Sequence, residues 1–296
     1  MTSQSCSSCS GGKGGSAAQA MQDELIKSTL ARIRYKLFVM SGKGGVGKSS
    51  VAVNIAAALS TMGYRVGILD VDIHGPSVPG LLGIKGQLDV DRGRIIRPKQ
   101  YAENLSVVSM ESLLKDPDQA VLWRGPMKTS AIRQFVADVS WGDLDFLVID
   151  SPPGTGDEHM TVLKTIPDAL CVIVTTPQEV SLADVRKAVN FLQYAKAGIL
   201  GVVENMSGLI CPHCREEIEL FKKGGGRELA ERYGLPFLGA IPLDPATVVA
   251  SDLGKPVVML SEETPVKAAL MQLARTIVAE TEKSLEAAAA QGPVLE

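Results

Sequence analysis

Residues 42–49 read Gly42-Lys43-Gly44-Gly45-Val46-Gly47-Lys48-Ser49, and this stretch dictates what must surround it. The spacing G-x-x-x-x-G-K-[ST] wraps phosphates in backbone N–H groups, sends one lysine to the β/γ-phosphates and offers a hydroxyl to magnesium. Lys48 and Ser49 fill those two roles, and Ser50 opens the helix that follows. Such a loop works only between a strand and a helix, because the helix N-terminus aims its unpaired N–H groups and positive dipole end at the anion. Both neighbours are present: Leu37-Phe38-Val39-Met40 is a short apolar strand, and residues 50–62 carry Val51, Ile55, Ala58 and Leu59 at helical spacing. Lys43 is a second lysine near the start of the loop, beyond what the general pattern requires.

Two further strands end in carboxylates. Phe146-Leu147-Val148-Ile149-Asp150 leads into Ser151-Pro152-Pro153-Gly154-Thr155-Gly156-Asp157. In a parallel sheet Asp150 then lies at the ligand-binding carboxyl edge, where it orients a magnesium shell directly or through water, or else caps the next helix. The Gly154 N–H is a candidate γ-phosphate sensor, because glycine permits close backbone approach. The segment Ile68-Leu69-Asp70-Val71-Asp72-Ile73-His74-Gly75-Pro76-Ser77 supplies two more acids. Either Asp70 or Asp72 can orient an attacking water, and spacing does not choose between them. His74 reads as a hydrogen-bonding loop residue.

Around these motifs the pattern alternates strand and helix, which implies one α/β domain with a mostly parallel central sheet covered by helices on both faces. Strands are expected at 37–40, 65–69, 105–109, 146–149, 170–175, 200–204 and 237–241, and helices near 23–34, 128–139, 182–197, 226–233 and 265–288. Residues 1–20, rich in Ser, Gly and Ala, read as a flexible tail, 21–280 as the domain, and 281–296 as a helix end and tail. With 296 residues and 45% hydrophobic content the chain can bury a large core. Thirty basic against 33 acidic residues (net charge −3) leave no electrostatic footprint for nucleic acid. The longest apolar runs, such as residues 169–174, fall far short of the roughly 20 residues a membrane span needs. A polar beginning without a hydrophobic signal core completes a cytoplasmic reading.

In that setting five cysteines point to metal or redox chemistry and not to a disulfide framework. Cys211-Pro212-His213-Cys214 interrupts the α/β alternation. Its two thiolates can share a metal or a cluster edge, although zinc, an iron-sulfur cluster, a redox dithiol and an unused surface pair all fit C-x-x-C alone. One pair is half of the four ligands that zinc or a 4Fe-4S cluster requires. Cys6 and Cys9 form a second C-x-x-C in the tail, with a role in receiving metal or none. Cys171, inside an apolar strand, reads as a small buried hydrophobe. His213 either supports a sulfur or is solvated.

Lys43, the segments 70–77 and 150–157, and Glu204-Asn205-Met206-Ser207 together resemble the Mrp-type ATPases, iron-sulfur cluster carriers of the deviant Walker A class of P-loop NTPases, related to MinD and the nitrogenase iron protein. The resemblance covers about residues 35–275. It implies a homodimer in which Lys43 reaches the partner's nucleotide, a cation supplied in trans that can be worth about 10³ to 10⁵ in rate. It implies that Asp72 positions the attacking water, that Asp150 is the magnesium-side carboxylate, that Asn205 contacts the adenine, and that Pro242 and Asp244 complete the base pocket. ATP and magnesium are then the ligands of Gly42 to Ser50. A 4Fe-4S cluster held by Cys211 and Cys214 from both copies is delivered to apo iron-sulfur proteins. Relatives with a separate amino-terminal cluster carry four cysteines there, against two in this chain. Two other readings stand beside this one. One is a MinD-like switch, which calls for a basic amphipathic membrane helix where residues 280–296 are acidic and alanine-rich; the other is a dimeric ATPase bridged by zinc.

Overall fold

In a computed structural model of the chain, residues 14–290 are described apart from 73–74, 92–94, 114–124, 212 and 215. Cys6, Cys9, His74 and residues 291–296 lie outside the described residues. The elements in chain order are α1 (Gly14–Ala31), β1 (Ile33–Ser41), α2 (Lys48–Thr61), β2 (Val66–Asp70), α3 (Val78–Leu81), β3 (Asp89–Val90), β4 (Ile96–Arg97), β5 (Lys99–Ala102), β6 (Leu105–Ser109), α4 (Gly125–Asp138), β7 (Leu144–Asp150), α5 (Asp157–Thr165), β8 (Leu170–Thr175), α6 (Glu179–Tyr194), β9 (Gly198–Ile210), β10 (Glu217–Ile218), α7 (Gly225–Tyr233), β11 (Phe237–Leu243), α8 (Pro245–Asp252) and α9 (Pro265–Ala290).

Nine strands form one sheet in the order β10-β9-β8-β1-β7-β2-β6-β5, with β11 also paired to β9. The inner pairings are parallel, and only the edge strands β5 and β10 run antiparallel to their neighbours. Because β7 and β8 flank β1 on opposite sides, the chain reverses its direction of travel across the sheet at β1. A crevice opens at the carboxyl ends of the strands at such a reversal, and the glycine loop leaves β1 into it.

The strands alternate between two cores, as strands buried on both faces must. Phe38 and Met40 of β1 pack with Leu147, Ile149, Cys171 and Ile173 beneath α1, α4, α5, α6 and α7. Leu37 and Val39 pack with Phe146, Val148, Val172 and Val174 beneath α2 and α9. The expectation of a single α/β domain with helices on both faces holds.

Boundaries differ in instructive places. Helix α1 starts at Gly14, so residues 14–20, read as tail, are helical, and it ends at Ala31 where a helix to Arg34 was expected. Ile33 pairs with Leu144 and Tyr35 with Phe146, which draws the segment after Arg32 into β1. Strand β9 continues to Ile210, past the expected end at Glu204, because β11 pairs along it as far as Leu209. The short helices α5 and α8 and the antiparallel edges were not foreseen.

Phe146 has no exposed surface and stacks on Tyr35 at 4.9 Å with Tyr64 edge-on at 5.2 Å. Phe146→Ala should therefore cost about 3–5 kcal/mol of unfolding free energy, measured by urea denaturation.

Candidate functional site

The loop after β1 owes its shape to two glycines in the left-handed region, Gly45 at φ 81° and Gly47 at φ 78°. The latter is the N-cap of α2. Any side chain at position 47 would also overlap the Asn205 amide. At the loop's other end, Gly42 lies so close to the Asp184 backbone that a Cβ would collide with it. Gly42 against α6 and Gly47 against Asn205 thus fix both ends of the loop ahead of the α2 N-terminus, the place for a phosphate cradle.

At its base Lys48 is buried, its ammonium 2.6 Å from Asp150 Oδ1 and 3.0 Å from Ser49 Oγ. Burial raises the Asp150 carboxyl above its ordinary value, while Lys48 opposes that shift. Asp150 Oδ2 is buried without a hydrogen-bond partner, a lone acceptor beside the Ser49 hydroxyl, and it suits a hydrated magnesium ion. Asp70, next to Asp150 across the β2–β7 pairing, accepts hydrogen bonds from the Asp72 N–H at 3.1 Å and from Ser109 Oγ at 3.0 Å. Its carboxyl is raised well above normal, chiefly by burial and then by Asp150. Asp70 thus braces the backbone at Asp72. Asp72 is itself buried and accepts from the Gly75 N–H at 3.1 Å.

Gly154 differs from the expectation. Its N–H donates to the Ser41 carbonyl at 3.1 Å, so it staples the 151–156 loop to the end of β1 and is not directed at a phosphate. Pro153 faces Gly44, where an added Cβ would come within 3.7 Å of the proline.

The base-side residues do converge. Asn205, Pro242 and Asp244 line one cleft of about 240 Å³ with Gly47, Ser50 and Asn54. Asn205 is not a strand end: it lies within β9 opposite Ile241 and donates from Nδ2 to the Val46 carbonyl at 2.9 Å. Met206 follows it at φ 57°, a bend that lets Asn205 face the loop. Asp244 caps α8 by accepting the Ala246 N–H at 2.9 Å, and Pro245 is the first helical residue. Lys43 is half-buried at the mouth of the loop, and its ammonium has no partner among the described residues.

The cysteines occupy a hairpin. β9 and β10 pair through Ile210 with Glu217 and Leu209 with Ile218, and the Cys211 N–H donates to the Glu216 carbonyl at 2.9 Å. Backbone N–H groups of Cys214 and His213 converge on the Cys211 sulfur and hold its thiol below the usual range, as suits a metal thiolate. Cys211 is half-buried and Cys214 exposed. Among the described residues no group of three or more His, Cys, Asp or Glu could hold one ion, so this chain's hairpin offers two sulfurs. Cys171 is the expected buried hydrophobe, its thiol pushed up to about 12.

Sequence reasoning missed Glu204. Its carboxylate is buried and accepts from Ser207 Oγ at 2.5 Å, the Gly224 N–H at 3.0 Å and the Gly226 N–H at 2.6 Å, tying β9 to the start of α7. An acid ending an apolar strand was its available signal. No described helix is long and apolar enough to cross a membrane.

Residues 32–278 match the family described as ParA, NUBPL iron-transfer P-loop NTPase. An iron-sulfur cluster carrier protein of Methanocaldococcus jannaschii is 47% identical over 81% of this chain and 83% of its own length. The human cytosolic Fe-S cluster assembly factor NUBP2 is 45% identical over 84% and 94%. Among solved structures, a nucleotide-binding protein of Archaeoglobus fulgidus in complex with ADP superposes with a TM-score of 0.70 at 38% identity, over 82% of this chain and 98% of that one.

The raised Asp70 carboxyl makes a pH prediction with a definite sign. A carboxyl whose folded value exceeds its unfolded one adds stability below the unfolded value and loses it as pH rises through the folded value. Asp70→Asn should raise the melting temperature at pH 8, and its advantage over the parent should shrink as pH falls toward 4 in thermal melts of the nucleotide-free protein.

Proposed function

This chain belongs to the NUBPL iron-transfer P-loop NTPase family, and from that premise we propose that it is an ATP-hydrolysing carrier. Two copies hold a 4Fe-4S cluster between their cysteine hairpins and pass it to apo iron-sulfur proteins. The carrying observation is the hairpin: Cys211 and Cys214 stand at its tip with backbone N–H groups turned onto one sulfur. Two thiolates per chain become four around a two-fold axis, which satisfies the ligand count of the cluster. The names of the relatives, a cluster carrier and a cluster assembly factor, support the same cargo.

In the nucleotide site Lys48 meets the β/γ-phosphates, the Gly42 to Ser50 backbone cradles them, and Asn205, Pro242 and Asp244 receive the base. Ser49 and Asp150 would hold a magnesium ion there, and the ion would supply charge neutralisation for the phosphates. Asp72, its backbone held by Asp70, orients the attacking water. Lys43, unpaired at the loop's mouth, crosses to the nucleotide of the second copy, so hydrolysis waits on dimer closure and is slow in the lone chain. β9 carries Asn205 in the nucleotide cleft and ends at Ile210, one residue before Cys211. Nucleotide state therefore biases how firmly the sulfurs hold their cargo. Couplings of about 1–3 kcal/mol are typical, enough to tilt handover but not to expel a tightly held cluster without a recipient.

The two lysines should separate in experiment. Lys48→Ala is expected to abolish ATP binding by titration calorimetry, whereas Lys43→Ala retains binding and loses at least about tenfold in phosphate release. Equal loss of binding in both would overturn the division of labour. Anaerobic reconstitution with iron and sulfide tests the cargo. The parent should turn brown with one cluster per pair of chains, and Cys211→Ser with Cys214→Ser should stay colourless and lose the cluster-dependent dimer in light scattering. Colourless parent protein retaining stoichiometric zinc would establish the zinc-bridged ATPase in its place.

A further inference from the structure

His159 lies in the first turn of α5 with 1% of its surface exposed, between Phe38 at 5.8 Å and Phe191 at 6.2 Å, both edge-on. Its Nδ1 accepts the Gly156 N–H at 3.2 Å, which requires a neutral ring with its proton on Nε2. Burial keeps it neutral, lowering its pKa to about 4. Nε2 is buried without a well-formed hydrogen bond, although the Pro152 carbonyl is near enough to favour a proton on the ring. A buried N–H left unpaired is costly. For filling space between two phenylalanines, an apolar ring would serve better. What the imidazole adds is an acceptor aimed at Gly156.

Gly156 ends the loop that runs from Asp150 and is tied to the base of the phosphate loop by the Gly154 N–H on the Ser41 carbonyl, with Pro153 facing Gly44. The groups facing the ring are Glu158 beside it, the Pro152 carbonyl, and Lys48 and Asp72 across the site. We infer that His159 is a positioning residue for ATP hydrolysis: by fixing Gly156 through Nδ1 it holds the 151–156 loop against the cradle, in register with Lys48, Asp72 and Asp150. This rests on the hydrolytic reading above. His159 touches no nucleotide; it acts through the loop.

Two substitutions in the full chain separate this role from packing. H159N puts Oδ1 where the imidazole has Nδ1 and keeps the acceptor, while H159F keeps the ring between Phe38 and Phe191 and removes it. H159F should retain ATP affinity within about threefold and the parent's melting temperature, yet lose about five- to tenfold in kcat, the effect of one hydrogen bond. Amide hydrogen exchange in a peptide spanning 152–158 should quicken by a similar factor. H159N should stay near the parent in both measurements. The inference is overturned if H159F hydrolyses and exchanges like the parent, or if both variants fall together. A parent chain that binds ATP without hydrolysing it sinks the proposed function, while the exchange comparison still decides what His159 holds.

Discussion

An ammonium and a carboxylate facing each other in a dry place set the terms for the rest of the molecule. Lys48 and Asp150 are both buried, 2.6 Å apart, and a pair of this kind recovers its lost hydration only when the geometry is good. The geometry is supplied from far off: β1 and β7 pair residue by residue up to Val39 and Asp150, and each strand is clamped between two apolar cores. The left-handed glycines then turn the chain so that Lys48 returns over the sheet edge. The fold is thus a means of holding one positive charge where phosphates will be.

Much of this was legible because the constraints are local. A glycine loop needs a strand before it and a helix after it, so residues 37–62 were readable in full, as was β8, whose first five residues are apolar without interruption. The acids at 70, 72 and 150 were found because a charge at the end of an apolar strand has few explanations. What escaped depends on pairing that sequence does not print. β9 runs to Ile210 because β11 lies against it, and no periodicity in Asn205-Met206-Ser207-Gly208 announces a strand. Gly154 was assigned to a phosphate on chemistry alone, whereas the Ser41 carbonyl claims its N–H. Helix α8 had a capping Asp244 and a first-turn Pro245 in plain view, but Asp244 had already been read as part of a base pocket.

β9 is the element that gives this sheet two purposes. Its first half is an ordinary parallel strand beside β8. At Asn205 it touches the phosphate loop, at Met206 it bends, and beyond Gly208 it becomes one arm of the cysteine hairpin. Glu204 ties the same strand to the start of α7 through three hydrogen bonds. Between the base cleft and the hairpin there is therefore no loose linker but a continuous strand, paired with β11 as far as Leu209 and with β10 beyond the bend.

The contrast among the described sulfurs has a consequence for a protein that handles reactive metal. Cys171, sealed in β8 with its thiol pushed up to about 12, offers almost no thiolate to peroxide, whereas the Cys211 thiol is held below its usual range by backbone N–H groups. Of these thiols, then, oxidation falls on the hairpin tip, where the first products are reversible by ordinary cellular reductants. The β8 sulfur at the middle of the sheet is spared, so a damaged chain can be repaired without being unfolded.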